Sequence, residues 1–340
     1  MPTTTRLLKF PAALAPLLGR TEELVQASAM LIDPTVRLLT LRGPGGSGKT
    51  RLAQQIAWDV ADLFADGAVF VPLAALRDEA LVIQAIASMC ELKQASAAAL
   101  TDYLRAKHIL LVLDNCEHLL AAGPDIAALL AAAPHLHILA TSRTALNLQG
   151  EHTFFVPSLP LPDLAHLPPL QALATVPSVA LLLARTQALN ARFQFTTENA
   201  ADLAAICVRL DGLPLAIELA AARLKLLAPR DLLRRLDHRL AVLTSGSRDL
   251  PDLQQTLRAT IDWSYRLLAT DQQIWFERCS VFVGGWTLAA AEGLHERLRW
   301  PGQPRRSRRS PRGWRGAVRA STLKRKRQHA RSFAPPCARC

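Results

Sequence analysis

Apolar positions along this chain fall into two regimes. Through residue 156, short apolar runs at 38–41, 68–71, 109–113, 137–141 and 153–156 alternate with stretches of helical period. The stripe Leu52, Ile56, Val60 and Leu63 predicts a helix after the first run, and another is predicted around 79–90. The run 109–113 has no polar position at all, as a central parallel strand buried on both faces requires. Strands alternating with helices predict a parallel α/β sheet with helices on both faces. Six prolines between Pro157 and Pro177 predict an extended connector over 157–178. Beyond it the period is helical: Leu203, Ile206, Cys207 and Leu210 share one face, Gly212 ends that helix, and Pro214 opens the next. The expected division is an N-terminal extension (1–15), a P-loop nucleotide-binding domain (16–156), the connector, and a helical domain (179–250). A partial winged-helix-like region (251–294) and a basic disordered tail (295–340) complete it.

Charge changes this picture only at one end. The 340 residues carry a net +12, but fifteen of the forty Lys/Arg and one of the twenty-eight Asp/Glu lie in 295–340. That tail therefore holds +14 and everything before it −2. The tail reads either as a disordered arm that meets nucleic-acid phosphates or as out-of-frame sequence interrupting a domain. Six scattered cysteines imply no disulfide framework. No run reaches the ~18 apolar residues of a membrane helix, so a cytoplasmic protein without membrane contact is expected.

The strongest chemical signal follows the first strand. Gly43-Pro44-Gly45-Gly46-Ser47-Gly48-Lys49-Thr50 matches G-x-x-x-x-G-K-[ST] at every required position. Glycines there let successive N–H groups face phosphate, and the helix behind adds its positive end. Lys49 would reach the β- and γ-phosphates, Thr50 would hold Mg²⁺, and Arg51 joins the loop as a nucleotide-side candidate. Asp114, closing the run 109–113, is the expected second Mg²⁺ group. Asn115 follows it, where an amide can orient a water but cannot accept its proton, so weak ATPase activity at most is expected unless another group, such as Glu117, supplies the base. Arg143, ending another strand, is placed to contact a γ-phosphate.

The segments Leu18-Gly19-Arg20, 43–50, Leu111-Val-Leu-Asp-Asn-Cys-Glu-His-Leu119, Ala140-Thr-Ser-Arg143 and Arg209-Leu-Asp-Gly-Leu-Pro-Leu-Ala-Ile-Glu-Leu219, in that order, resemble the STAND/NB-ARC class of signalling P-loop NTPases. The likeness is to the ATPase module of LuxR-type and antibiotic-regulatory bacterial transcriptional regulators, and Arg258-Ala-Thr-Ile-Asp-Trp-Ser-Tyr265 and Phe282-Val-Gly-Gly-Trp286 extend it. The resemblance implies an ADP/ATP switch with Mg²⁺, in which Gly19 and Arg20 lie beside adenine and ribose, Pro214 packs on adenine, and Arg143 senses the γ-phosphate. It implies self-association in the ATP state, an unidentified signalling partner, and DNA contact only through an output domain or the tail. Thr21 stands where the family often has an acid, and neither a sensor repeat nor a helix-turn-helix is recognisable. Two other readings are an AAA-like remodelling ATPase and a nucleic-acid-binding protein acting through the tail.

Overall fold

The computed structural model describes residues 6–11, 16–236, 265 and 270–279. Six strands form one sheet: β1 (Leu7–Lys9), β2 (Leu38–Arg42), β3 (Gly67–Pro72), β4 (Ile109–Asp114), β5 (Leu136–Ser142) and β6 (Glu151–Phe155). Their spatial order is β1-β3-β4-β5-β2-β6, and every pairing is parallel. β2 and β4 are thus separated by β5 alone, so all three C-terminal ends open on one edge. That edge is where a parallel sheet flanked by helices places its ligands.

Burial on both faces explains the unbroken apolar strands. In β4, Ile109, Leu111 and Leu113 enter a core shared with α3 (Val82–Met89), α4 (Ala97–Leu104) and α5 (Gly123–Ala132). Leu110 and Val112 enter the opposite core, with α1 (Thr21–Ile32) and α2 (Lys49–Val60). All five are fully buried. At ~1.5–3 kcal/mol for each buried aliphatic side chain, β4 is anchored from both sides, and Asp114 at its end inherits that rigidity.

Two features depart from the sequence expectation. Leu7–Lys9 precedes the range assigned to the nucleotide-binding domain, yet it pairs with β3 as an edge strand. The proline-rich connector contains a short helix, α6 (Leu170–Thr175), and its end already begins α7 (Pro177–Leu189).

The helical part continues with α8 (Thr197–Arg209), α9 (Pro214–Leu224) and α10 (Pro229–Leu236) around a separate apolar core. Thr196 and Asn199 close a reciprocal capping box at the start of α8. Gly212, at φ +64°, makes the left-handed turn between α8 and α9; a Cβ there would lie 2.3 Å from the Leu159 carbonyl oxygen. Pro214 then occupies the first turn of α9, where a missing N–H costs nothing.

A second compact unit, residues 265–340, is described only at Tyr265 and at helix α11 (Thr270–Cys279). There the Tyr265 hydroxyl donates to the Glu277 carboxylate, and Gln273 Nε2 donates to the Tyr265 carbonyl at 3.0 Å. The rest of the winged-helix expectation, with its Phe282–Trp286 segment, and the whole basic tail lie outside the described residues. No described helix is long and apolar enough to cross a membrane.

Candidate functional site

The loop 43–48 leaves the end of β2 and turns directly into α2. Gly46 (φ +79°) and Gly48 (φ +90°) occupy the left-handed region, which a side chain resists. The turn folds Lys49 back on the loop: Nζ donates to the Gly43 and Pro44 carbonyls, each at 3.0 Å. Its side chain is buried, and desolvation pulls its pKa from 10.5 down to about 8. Glu117 and Asp114 oppose that shift, while Arg143 adds to it. The hydrogen bonds of this ammonium go to neutral carbonyls, which suits it to a phosphate.

Thr50 and Asp114 are brought together across the sheet edge. Thr50 Oγ1 donates to Asp114 Oδ1 at 2.7 Å, and Thr141 Oγ1 donates to the same oxygen at 2.6 Å. The Asn115 N–H donates to Thr141 Oγ1 at 2.9 Å, which ties the turn after β4 to β5. Burial raises the Asp114 pKa, and the Thr141 and Thr50 hydroxyls pull against that rise. The hydroxyl and carboxylate oxygens form a hard donor pair of the kind Mg²⁺ takes, with waters filling its remaining positions.

Arg143, one residue beyond β5, is held by Glu117: its Nε donates to Glu117 Oε1 at 3.0 Å. The two side chains are 16% and 4% exposed, and Glu117 Oε2 is buried without a hydrogen-bond partner. Thr141 and Glu117 both stand inside the segments quoted from the sequence, but their partners are set by the crossing of β4, β5 and the turn after β4.

Arg20 is almost fully buried and committed to the protein. It pairs with Glu23 at 2.6 Å and donates to the Ser47 carbonyl at 3.0 Å and to the Pro157 carbonyl. Its guanidinium therefore ties the phosphate loop to the connector, a role that sequence reading did not find. Gly19, at φ +65°, abuts the start of α7, where a Cβ would lie 2.4 Å from Pro177 Cβ. Arg51 Nη2 donates to the Pro16 carbonyl at 3.3 Å, and burial together with the nearby Arg185 lowers its pKa. Gly43 sits so close to the chain leaving β6 that a Cβ would meet the Val156 carbonyl oxygen at 2.5 Å.

The helical part reaches the same loop. The Leu215 N–H at the start of α9 donates to the Gly46 carbonyl at 3.2 Å. A Cβ on Gly48 would lie 3.9 Å from Pro214 Cγ. Gly43, Gly46, Gly48, Lys49, Thr50, Asp114, Arg143 and Pro214 thus converge on one edge, whereas the Arg20 side chain faces protein carbonyls. Among the described residues, no group of three His, Cys, Asp or Glu could hold a metal by itself.

A parallel sheet with this strand order, carrying this loop between β2 and α2 and an acid at the end of β4, defines a P-loop NTPase. The chain belongs to the family of the uncharacterised Mycobacterium tuberculosis protein Rv0894, to which it is 36% identical over 281 residues, covering 81% of this chain and 68% of that one. It is also 42% identical over 263 residues to Rv0890c of the same species, named as an HTH-type transcriptional regulator; the match covers 76% of this chain. The chain spans only 28% of that regulator's length. A Walker-type ATPase of Pyrococcus abyssi shares the fold, with a TM-score of 0.50 at 14% identity, over 84% of this chain and 86% of that one. No family model matches.

Proposed function

We propose that this chain is the nucleotide-responsive core of a STAND/NB-ARC-class transcriptional regulator, binding Mg-ADP and Mg-ATP at residues 43–50 and hydrolysing ATP slowly. The observation that carries the reading is the contact of α9 with the phosphate loop, Leu215 N–H to Gly46 carbonyl. A nucleotide on that loop acts directly on the element that positions the helical part, so binding and domain position are coupled. In this reading Lys49 and the loop N–H groups hold the β- and γ-phosphates, Thr50 and Asp114 hold Mg²⁺, Arg143 meets the γ-phosphate, and Pro214 lies against adenine. Gly19 and Arg20 contribute through backbone beside adenine and ribose, because the Arg20 guanidinium is already engaged.

A switch of this kind works only through differential affinity: moving an equilibrium from 1:99 to 99:1 takes a ~10⁴-fold preference of the ligand for one state. Slow hydrolysis follows from Asn115, whose amide cannot serve as a base. The similarity to an HTH-type regulator supports a role in transcription, with DNA reached through an output domain or the basic tail and self-association in the ATP state. The domain division over 16–156, 179–250 and 251–294, and a cytoplasmic location, belong to the same proposal.

The test is the nucleotide that co-purifies with the full chain, followed by its turnover. Tightly retained ADP with little multiple-turnover hydrolysis is expected. Fast multiple turnover would overturn the switch in favour of an ATP-driven remodelling enzyme, and failure to bind either nucleotide would remove the site.

A further inference from the structure

Glu117 has no role in holding phosphate or Mg²⁺ in the proposed site, yet it is among the most buried charges at the sheet edge. Its side chain is 4% exposed, Oε1 accepts from Arg143 Nε at 3.0 Å, and Oε2 is buried with no partner. It is also the largest electrostatic influence on Lys49 after burial, ahead of Asp114. One acid therefore pairs directly with Arg143 and acts electrostatically on Lys49, the two cations that would receive the terminal phosphate. A buried carboxylate with an idle oxygen is costly to maintain, and it sits beside the site where a second anion would arrive.

We propose that Glu117 is an internal counter-anion that occupies Arg143 until a γ-phosphate displaces it, and that this competition sets how strongly the site prefers ATP over ADP. The inference rests on the reading of Arg143 as the γ-phosphate contact. Mg-ADP leaves the Arg143–Glu117 pair in place. Mg-ATP must draw the guanidinium away, leaving a desolvated carboxylate behind, so part of the γ-phosphate's binding energy is spent on breaking the pair. The γ-phosphate's advantage is thereby reduced, and ADP can hold the site at comparable concentration. Glu117 acts through Arg143 and is a positioning residue.

Dissociation constants of Mg-ADP and of a non-hydrolysable ATP analogue with Mg²⁺, measured by calorimetry on the full chain, test the competition. Glu117→Gln keeps the side-chain shape and removes the charge. It should raise the preference for the ATP analogue about tenfold, the scale of one charge-assisted bond. Thermal unfolding of the nucleotide-free variant should come at lower temperature, since the Arg143–Glu117 ion pair is removed, and the ATP analogue should restore more of it than ADP does. On an Arg143→Gln background Glu117→Gln should change the preference several-fold less than in the wild-type chain, since only its influence on Lys49 remains; this comparison decides the matter should the single variant fail to fold. An unchanged preference in Glu117→Gln, or an equal rise on both backgrounds, overturns the proposal while leaving nucleotide binding intact. Absence of binding in the wild-type chain overturns it together with the site.

Discussion

Replacing Lys49 by methionine tests the phosphate loop in a way that needs no nucleotide. The lysine is buried and its pKa falls from 10.5 to about 8, chiefly through desolvation. At ~1.36 kcal/mol per pKa unit, this difference amounts to about 3 kcal/mol of stability withheld while the lysine is charged. The unfolded chain keeps the proton up to 10.5, whereas the folded chain releases it near 8. Between those values the unfolded state binds more protons, so stability rises with pH across that window and the penalty is present in full below it. A methionine side chain cannot titrate. The wild-type chain should therefore gain about 3 kcal/mol relative to Lys49→Met between pH ~7 and pH ~10.5. On the low-pH side the gain from removing a desolvated charge is offset by the Gly43 and Pro44 carbonyls, which lose a donor at ~1 kcal/mol each. Urea unfolding followed by circular dichroism at a series of pH values gives both ends of the curve. The same variant should lose the ~2.7 kcal/mol that nucleotide at about 100 times its Kd contributes to a binding-competent site. A stability difference that stays flat with pH would refute the desolvated-lysine argument. A retained nucleotide shift would refute the assignment of Lys49 to phosphate.

Other consequences are more local. Asp114→Asn still accepts the Thr50 and Thr141 hydroxyl bonds, so the fold should survive. The Mg²⁺-dependent part of nucleotide affinity should fall about tenfold or more, read by calorimetry with and without Mg²⁺; an unaltered Mg²⁺ effect removes Asp114 from the metal site. Gly212→Ala forces a side chain to φ +64° and drives its Cβ to 2.3 Å from the Leu159 carbonyl oxygen. It should cost at least about 2 kcal/mol in denaturant unfolding, and a neutral result would contradict the tight connector-to-turn packing.

The P-loop and its acid were legible because their chemistry is local. A strand, a glycine turn and a helix follow one another in sequence, and Asp114 ends an apolar run whose burial on both faces is written in its composition. Leu7–Lys9 was not legible: three residues carry no period, and only pairing with β3 makes them a strand. Arg20 was placed beside the nucleotide by resemblance, but its side chain is taken by carbonyls 27 and 137 residues away. Glu117 and Arg143, 26 residues apart, meet because β4 and β5 run parallel as neighbours.

By itself, then, the sequence determined an α/β P-loop NTPase followed by helices, through hydrophobic period and a contiguous motif whose backbone conformation only glycine permits. Tertiary structure decided which charges are paired at the sheet edge, Arg143 with Glu117, and that α9 touches the loop through Leu215. Those contacts join segments far apart in the chain, and their partners are chosen by strand order and burial rather than by local pattern.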